Sequence, residues 1–226
     1  MGKYKYIFFD MDGTLGDTQE GIFNCTKYAF EKLGVQIDTS YESLSRVIGP
    51  PLVFAYMEYF GLSEEDAKKA TEYYRERYSV NGVYEMNLYD GVEQMLKKLK
   101  SAGFTLALVS AKPEVYVEKI VKHKGIDKYF SFNSSASKKD TDTSKKRLIT
   151  RAIEHFNISD LSKVVMVGDR IYDLEGAKDA FVDGVAVLYG YGSREELEAC
   201  DNVFIASTPQ ELCDFLLNFK GEVNET

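Results

Sequence analysis

The spacing of hydrophobic positions changes period along the chain, and the elements follow from those changes. Ile7-Phe8-Phe9 is a short apolar run without charges, the pattern of a strand buried on both faces, and it ends in Asp10-Met11-Asp12-Gly13-Thr14. From Thr18 to Leu33, Ile22, Cys25, Ala29 and Leu33 recur on one helical stripe. Helical spacing continues through Tyr41–Val47 and Leu52–Phe60, then from Ser63, whose Ser-Glu-Glu-Asp resembles a capping start, to about Tyr78. No strand-like run interrupts this block.

From Asp90 onward helix and strand alternate. Val92, Met95, Leu96 and Leu99 mark a helix ending at Gly103, and Thr105–Ser110 is a buried strand. Pro113 opens a helix reaching about Lys122. A weaker strand lies near Tyr129–Asn133, and Ser131–Ser144 reads as a long polar loop of the kind that often borders a site. Lys145–Phe156 is helical and Lys163–Gly168 is a second clear buried strand ending at Asp169. Leu174–Phe181 is predicted as helix, Gly184–Val187 as strand, Ser193–Ala199 as helix and Val203–Ile205 as strand. A last helix starts at Thr208-Pro209-Gln210-Glu211. Strands separated by such helices imply an α/β fold with a doubly wound parallel sheet. The helical block, residues 17–84, is then an inserted α-helical cap domain, and residues 1–16 with 85–226 form the sheet core.

At 226 residues and 44% hydrophobic, the chain can bury a substantial core. A formal charge of −8 argues against nucleic acid as a partner, since backbone binding requires a basic face. Cys25, Cys200 and Cys213 are odd in number and have no Cys-x-x-Cys spacing, so they read as buried thiols in a reducing compartment. The chain enters its first strand directly, without a signal-like apolar segment, and no run approaches membrane-spanning length, so a cytoplasmic protein is expected. His123 and His155 fall on predicted helices away from strand ends, and the cap aromatics read as core.

The chemistry concentrates at strand ends. Side chains of an extended segment alternate, so Asp10 and Asp12 point to the same side. Two carboxylates at the mouth of a buried strand repel each other, and a fold tolerates them when a cation lies between them or one keeps a proton. In an open parallel sheet the functional crevice lies at the carboxyl ends of the strands, where Asp10, Ser110 and Asp169 all fall.

These residues together resemble the motifs of the haloacid dehalogenase-like superfamily. Asp10-Met11-Asp12-Gly13-Thr14-Leu15 resembles its first motif and Ser110 its second. A lysine ahead of a helix is its third, and Gly168-Asp169 with Asp173 is similar to its fourth. The resemblance covers essentially the whole chain and implies a Rossmann-like core with a cap inserted after the first motif. It also implies Mg²⁺ held by Asp10, Asp169, the backbone carbonyl of Asp12 and, through a bound water or by orienting a ligand, Asp173. Asp10 is then the nucleophile and Asp12 the acid and later the base. Ser110 and the backbone amides of Gly13 and Ala111 would bind phosphate. Candidates for the lysine are Lys138, Lys139, Lys145 and Lys146, of which the resemblance favours Lys145, directly before the Leu148-Ile149 stripe.

Asp12 separates phosphoryl transfer from dehalogenation, because halide needs no proton to leave. Arg46-Val47-Ile48-Gly49-Pro50-Pro51-Leu52 and Ser110-Ala111-Lys112-Pro113 resemble the phosphoglycolate phosphatase-like branch, and Arg46 could reach a substrate carboxylate or a surface acid. The expected partner is a small phosphorylated metabolite, with phosphoglycolate-like esters first. A nucleoside monophosphate, a sugar-phosphate mutase reaction and an inactive binding module remain as alternatives.

Overall fold

The computed structural model describes residues 3–137 and 140–219. The chain divides into two compact units, Met1–Asp17 with Leu88–Thr226, and Thr18–Asn87.

The first unit is built on a six-stranded sheet. Its strands are β1 (Tyr6–Phe9), β4 (Thr105–Pro113), β5 (Phe130–Ala136), β6 (Val164–Gly168), β7 (Asp183–Val187) and β8 (Phe204–Ala206), in spatial order β5-β4-β1-β6-β7-β8. Every pairing is parallel. The order reverses beside β1, the first strand lying between β4 and β6, so the carboxyl end of β1 sits at the switch point of a Rossmann-like fold. Flanking the strands are α5 (Val92–Ser101), α6 (Glu114–His123), α7 (Lys145–His155), α8 (Ile171–Asp179), α9 (Arg194–Glu198) and α10 (Pro209–Asn218). Two short strands, β2 (Gly16–Asp17) and β3 (Asn87–Leu88), lie where the chain leaves and re-enters this unit and pair with each other.

Alternation along the strands decides which side chains meet which helices. Phe8, Ala107, Val109, Val164 and Met166 form one apolar face, closed by Leu148, Ile149 and Ala152 of α7 and Ala177 of α8. This packing matters for function because α7 begins with Lys145 and the first turn of α8 carries Asp173.

The second unit is helical: α1 (Gln19–Leu33), α2 (Tyr41–Leu44), α3 (Leu52–Phe60) and α4 (Glu64–Arg77), followed by a π-helical turn at Tyr78–Gly82. Phe30 of α1 fits between Tyr56 and Phe60 of α3, with both ring centroids 5.1 Å away. Arg77 clamps Glu85 through both nitrogens, at 2.7 and 2.8 Å. Of the aromatics expected as cap core, Tyr56 and Tyr74 are buried, Tyr59, Phe60 and Tyr73 are half-buried, and Phe54 is 52% exposed.

Three expectations need correction. The strand β5 continues to Ala136, into what the sequence presents as loop. Pairing with β4 satisfies its backbone, the Ser134 hydroxyl donates to the Leu148 carbonyl at 2.7 Å, and Arg151 donates to the Ser134 hydroxyl and the Ser135 carbonyl. A polar strand is stable here because Ser134 and Ser135 find partners, although the Asn133 amide nitrogen is buried without one. Pro113 caps α6 rather than opening it, since β4 runs through Pro113 past an irregularity between Ser110 and Pro113. The helix α8 starts at Ile171, three residues before the predicted start, which brings Asp173 inside its first turn.

All three cysteines are free thiols. Among the described residues no helix is long and apolar enough to cross a membrane.

The core makes a direct stability prediction. Phe8 is fully buried among side chains from three strands and α7, so Phe8→Ala should lower unfolding free energy by about 3–5 kcal/mol. Urea denaturation measures it, and a loss under about 1 kcal/mol would contradict this packing.

Candidate active site

The register of the central strands assembles the site. Phe9 pairs with Val167 across β1 and β6, so Asp10 leaves its strand beside Gly168, and its N–H donates to the Val167 carbonyl at 3.0 Å. Asp169 follows at the end of β6 and is fully buried. Its Oδ1 accepts from the Thr14 hydroxyl at 3.1 Å and its Oδ2 from the Tyr191 N–H at 2.8 Å. Asp173 is also buried, and its Oδ2 accepts from the Arg170 N–H at 3.2 Å. This carboxylate therefore caps its own helix from the third helical position.

Asp10, Asp169 and Asp173 each place a carboxylate oxygen within 4.8 Å of the others. The protein answers this repulsion in part with one lysine. The Lys145 ammonium lies 2.9 Å from Asp10 Oδ1, 2.7 Å from Asp173 Oδ1 and 3.0 Å from the Val109 carbonyl. Burial pulls this ammonium down, but Asp10 and Asp173 outweigh that effect and hold it above its ordinary value. The Asp173 carboxyl moves the other way, pushed up to about 6 by burial, with Lys145 opposing and Asp10 reinforcing. Asp169 is raised well above the ordinary carboxylate value by burial, then by Asp173 and Asp10.

A single cation for three acids leaves a deficit. Asp10 Oδ1 and Asp173 Oδ1 are buried and face the same ammonium, as ion pairs at 2.9 and 2.7 Å. Converging carboxylate oxygens with unused acceptor capacity fit a hard divalent cation.

Asp12 has a separate partner. The Lys112 ammonium donates to both Asp12 oxygens, each at 2.9 Å. Ser110, in register with Ser135 on β5, is 2% exposed, and its hydroxyl oxygen accepts from the Lys112 N–H at 3.3 Å. Ala111 lies between them and is exposed.

Gly13 departs from expectation: its N–H donates to the Gly16 carbonyl at 2.9 Å, so it is already committed. What position 13 supplies is room and turn geometry. Its φ is +78°, and a Cβ there would overlap the Asp169 carboxylate. Gly168 serves Asp173 in the same way, a Cβ being excluded by that side chain.

Of the lysine candidates, Lys145 lies at the acidic cluster, whereas Lys138 and Lys139 fall outside the described residues. Lys146 is exposed. Arg46 belongs to the helical unit, exposed, with its guanidinium 4.8 Å from the centre of the Tyr59 ring. The first unit thus brings together Asp10, Asp12, Gly13, Ser110, Ala111, Lys145, Asp169 and Asp173. Sequence reasoning assigned no role to Lys112, Thr14 or the Tyr191 amide. The signal for Lys112 was only its place two residues beyond Ser110, because the irregularity of β4 between Ser110 and Pro113 interrupts simple alternation there.

The raised carboxyls carry a test. Asp169 and Asp173 bind protons more tightly folded than unfolded, so their contribution to stability is fully present below the unfolded value near 3.8. It is lost as pH rises through the folded value, about 6 for Asp173. A divalent cation held by these carboxylates would reverse that loss. Melting temperature in EDTA and in excess Mg²⁺ should therefore differ clearly at pH 8, with Mg²⁺ higher, and the gap should shrink toward pH 5. A gap independent of pH would argue against a cation at these carboxylates.

Comparison with known proteins agrees with this arrangement. The family model described as haloacid dehalogenase-like hydrolase matches residues 7–187. A 5′-nucleotidase of Pseudomonas aeruginosa is 36% identical over 197 residues, covering 87% of this chain and 88% of that protein. A phosphoglycolate phosphatase of Vibrio parahaemolyticus is 30% identical over 221 residues, covering 93% and 95%. The solved structure of a haloacid dehalogenase-like family hydrolase from Streptococcus pneumoniae matches with a TM-score of 0.88 at 26% identity, covering 95% and 99%. A match running from the first apolar strand through β7, on a fold that carries the acidic cluster at its switch point, means that this chain belongs to the haloacid dehalogenase-like hydrolases.

Proposed function

We propose that this chain hydrolyses a small phosphoglycolate-like phosphomonoester, with Asp10 as nucleophile and an aspartyl phosphate as intermediate. The broader class, a phosphoric monoester hydrolase of its family, follows from the family match and the phosphatase relatives. The observation that carries the mechanism is the separation of the two aspartates: Asp10 faces Lys145 and the acidic cluster, and Asp12 faces Lys112.

Asp10, Asp169 and Asp173, with the Asp12 carbonyl, would hold Mg²⁺, whose charge when bound offsets the carboxylates and screens the approach of a phosphate dianion. Asp10 attacks phosphorus; the bond from its carboxylate oxygen forms as the bond to the leaving oxygen breaks. Asp12 gives a proton to that leaving oxygen. It then takes one from the water that attacks the aspartyl phosphate, which releases phosphate and restores Asp10. The Ser110 oxygen is already accepting from the Lys112 N–H, so its own proton is directed to a phosphate oxygen. Lys145 fixes Asp10 and opposes the charge that collects around it. Three oxygens already lie within 3.0 Å of its ammonium, so a direct contact with phosphate requires it to exchange one of them.

One observation favours a second substrate class. The Pseudomonas relative carries the name 5′-nucleotidase at 36% identity, so nucleoside monophosphates belong in the same screen. Phosphate release over a panel of phosphorylated metabolites, with Asp10→Asn as the blank, tests both readings. Asp10→Asn should lose about 10⁴-fold or more in turnover, and phosphoglycolate or a similar carboxylated ester should rank first. Best turnover on a nucleotide replaces the first substrate class with the second, and full turnover by Asp10→Asn overturns the mechanism.

A further inference from the structure

We propose that Lys112 is the positioning residue for Asp12, fixing the carboxyl group in the orientation from which it serves the leaving oxygen. This rests on the reading of Asp12 as acid and then base. A lysine side chain near a strand end normally extends into water, yet that of Lys112 is only 6% exposed while Asp12 is 25% exposed. Burying a long, flexible chain costs rotamer entropy, and here the ordered ammonium lies 2.9 Å from each Asp12 oxygen. Contact with both oxygens holds the end of the side chain in place and sets the direction in which it points.

The backbone that carries Lys112 is itself held. Its N–H donates to Ser110 Oγ at 3.3 Å, and Pro113 follows with its φ fixed by the ring. Ser110 and Lys112 stand two residues apart near the end of β4 and are joined by that hydrogen bond, so one strand end orients both a phosphate donor and the acid. Lys145 cannot substitute, because its ammonium is shared between Asp10, Asp173 and the Val109 carbonyl. The nucleophile and the acid, two residues apart in sequence, therefore each have their own cation.

The test uses the full chain with Mg²⁺ and two phosphomonoesters. p-Nitrophenyl phosphate expels an oxygen that needs little protonation, whereas an alkyl phosphate expels one that needs it fully. With Lys112→Met, kcat/KM on the alkyl ester should fall about a hundredfold, the worth of a placed general acid. The loss on p-nitrophenyl phosphate should stay under about tenfold, and Lys112→Arg should recover most of the alkyl rate. In an Asp12→Asn background Lys112→Met should add no further leaving-group-dependent loss. Lys112→Gln takes the place of the methionine variant if that one does not fold, with melting temperature as the check.

Equal losses on both esters, with KM and the inhibition constant of inorganic phosphate rising together, would make Lys112 a phosphate ligand and overturn the proposal. No loss on either ester would overturn it as well. Failure of the underlying reading is separately visible: Asp10→Asn would then keep its turnover, or Asp12→Asn would not distinguish the two leaving groups.

Discussion

Three carboxylates meet at the centre of this structure, and among the described residues one lysine, Lys145, pairs with two of them. Asp10, Asp169 and Asp173 stand within contact of one another in a dry setting where like charges repel strongly. A fold does not keep such a cluster unless something compensates, and the surrounding architecture can be read as the means of compensation. The parallel register of β1 and β6 delivers Asp10 and Asp169. The early start of α8 delivers Asp173, and the packing of α7 on the sheet delivers Lys145. Displacing any of these elements would separate a charge from its partner.

Electrostatics at the site is divided between two pairs rather than pooled. Asp10 shares Lys145 with Asp173, and Asp12 has Lys112. A single cation between Asp10 and Asp12 would tie the position of one carboxylate to that of the other, whereas separate partners place each independently. Asp12 is the more exposed, at 25% against 14% for Asp10. In the proposed mechanism Asp12 meets a leaving group and then a water, whereas Asp10 is held.

Much of the sheet could be read from the chain, because its signals are local. Ile7-Phe8-Phe9 and Val164–Gly168 are apolar runs that nothing but a buried strand explains, and each ends in its aspartate. The polar β5 could not be read in the same way. Asn133-Ser134-Ser135 has no hydrophobic signal, and the strand forms because β4, Leu148 and Arg151 satisfy it from distant positions. Gly13 shows the opposite limit. Its place in the motif was plain, but the destination of its N–H, the carbonyl of Gly16, depends on the turn that follows.

The sequence by itself determined which chemistry is present: paired aspartates at one strand end, a third at another, a serine near the end of a third strand and a lysine at a helix start. Strand alternation and helix spacing are short-range rules, and they are enough to place such residues at the ends of elements. Tertiary structure decided which charge faces which. Lys145 reaches Asp10 and Asp173, and Lys112 reaches Asp12 across 100 residues of chain, only because parallel register and helix packing bring these ends together. Coulomb energy depends on distance through space, which is set when the sheet closes and which no local pattern encodes.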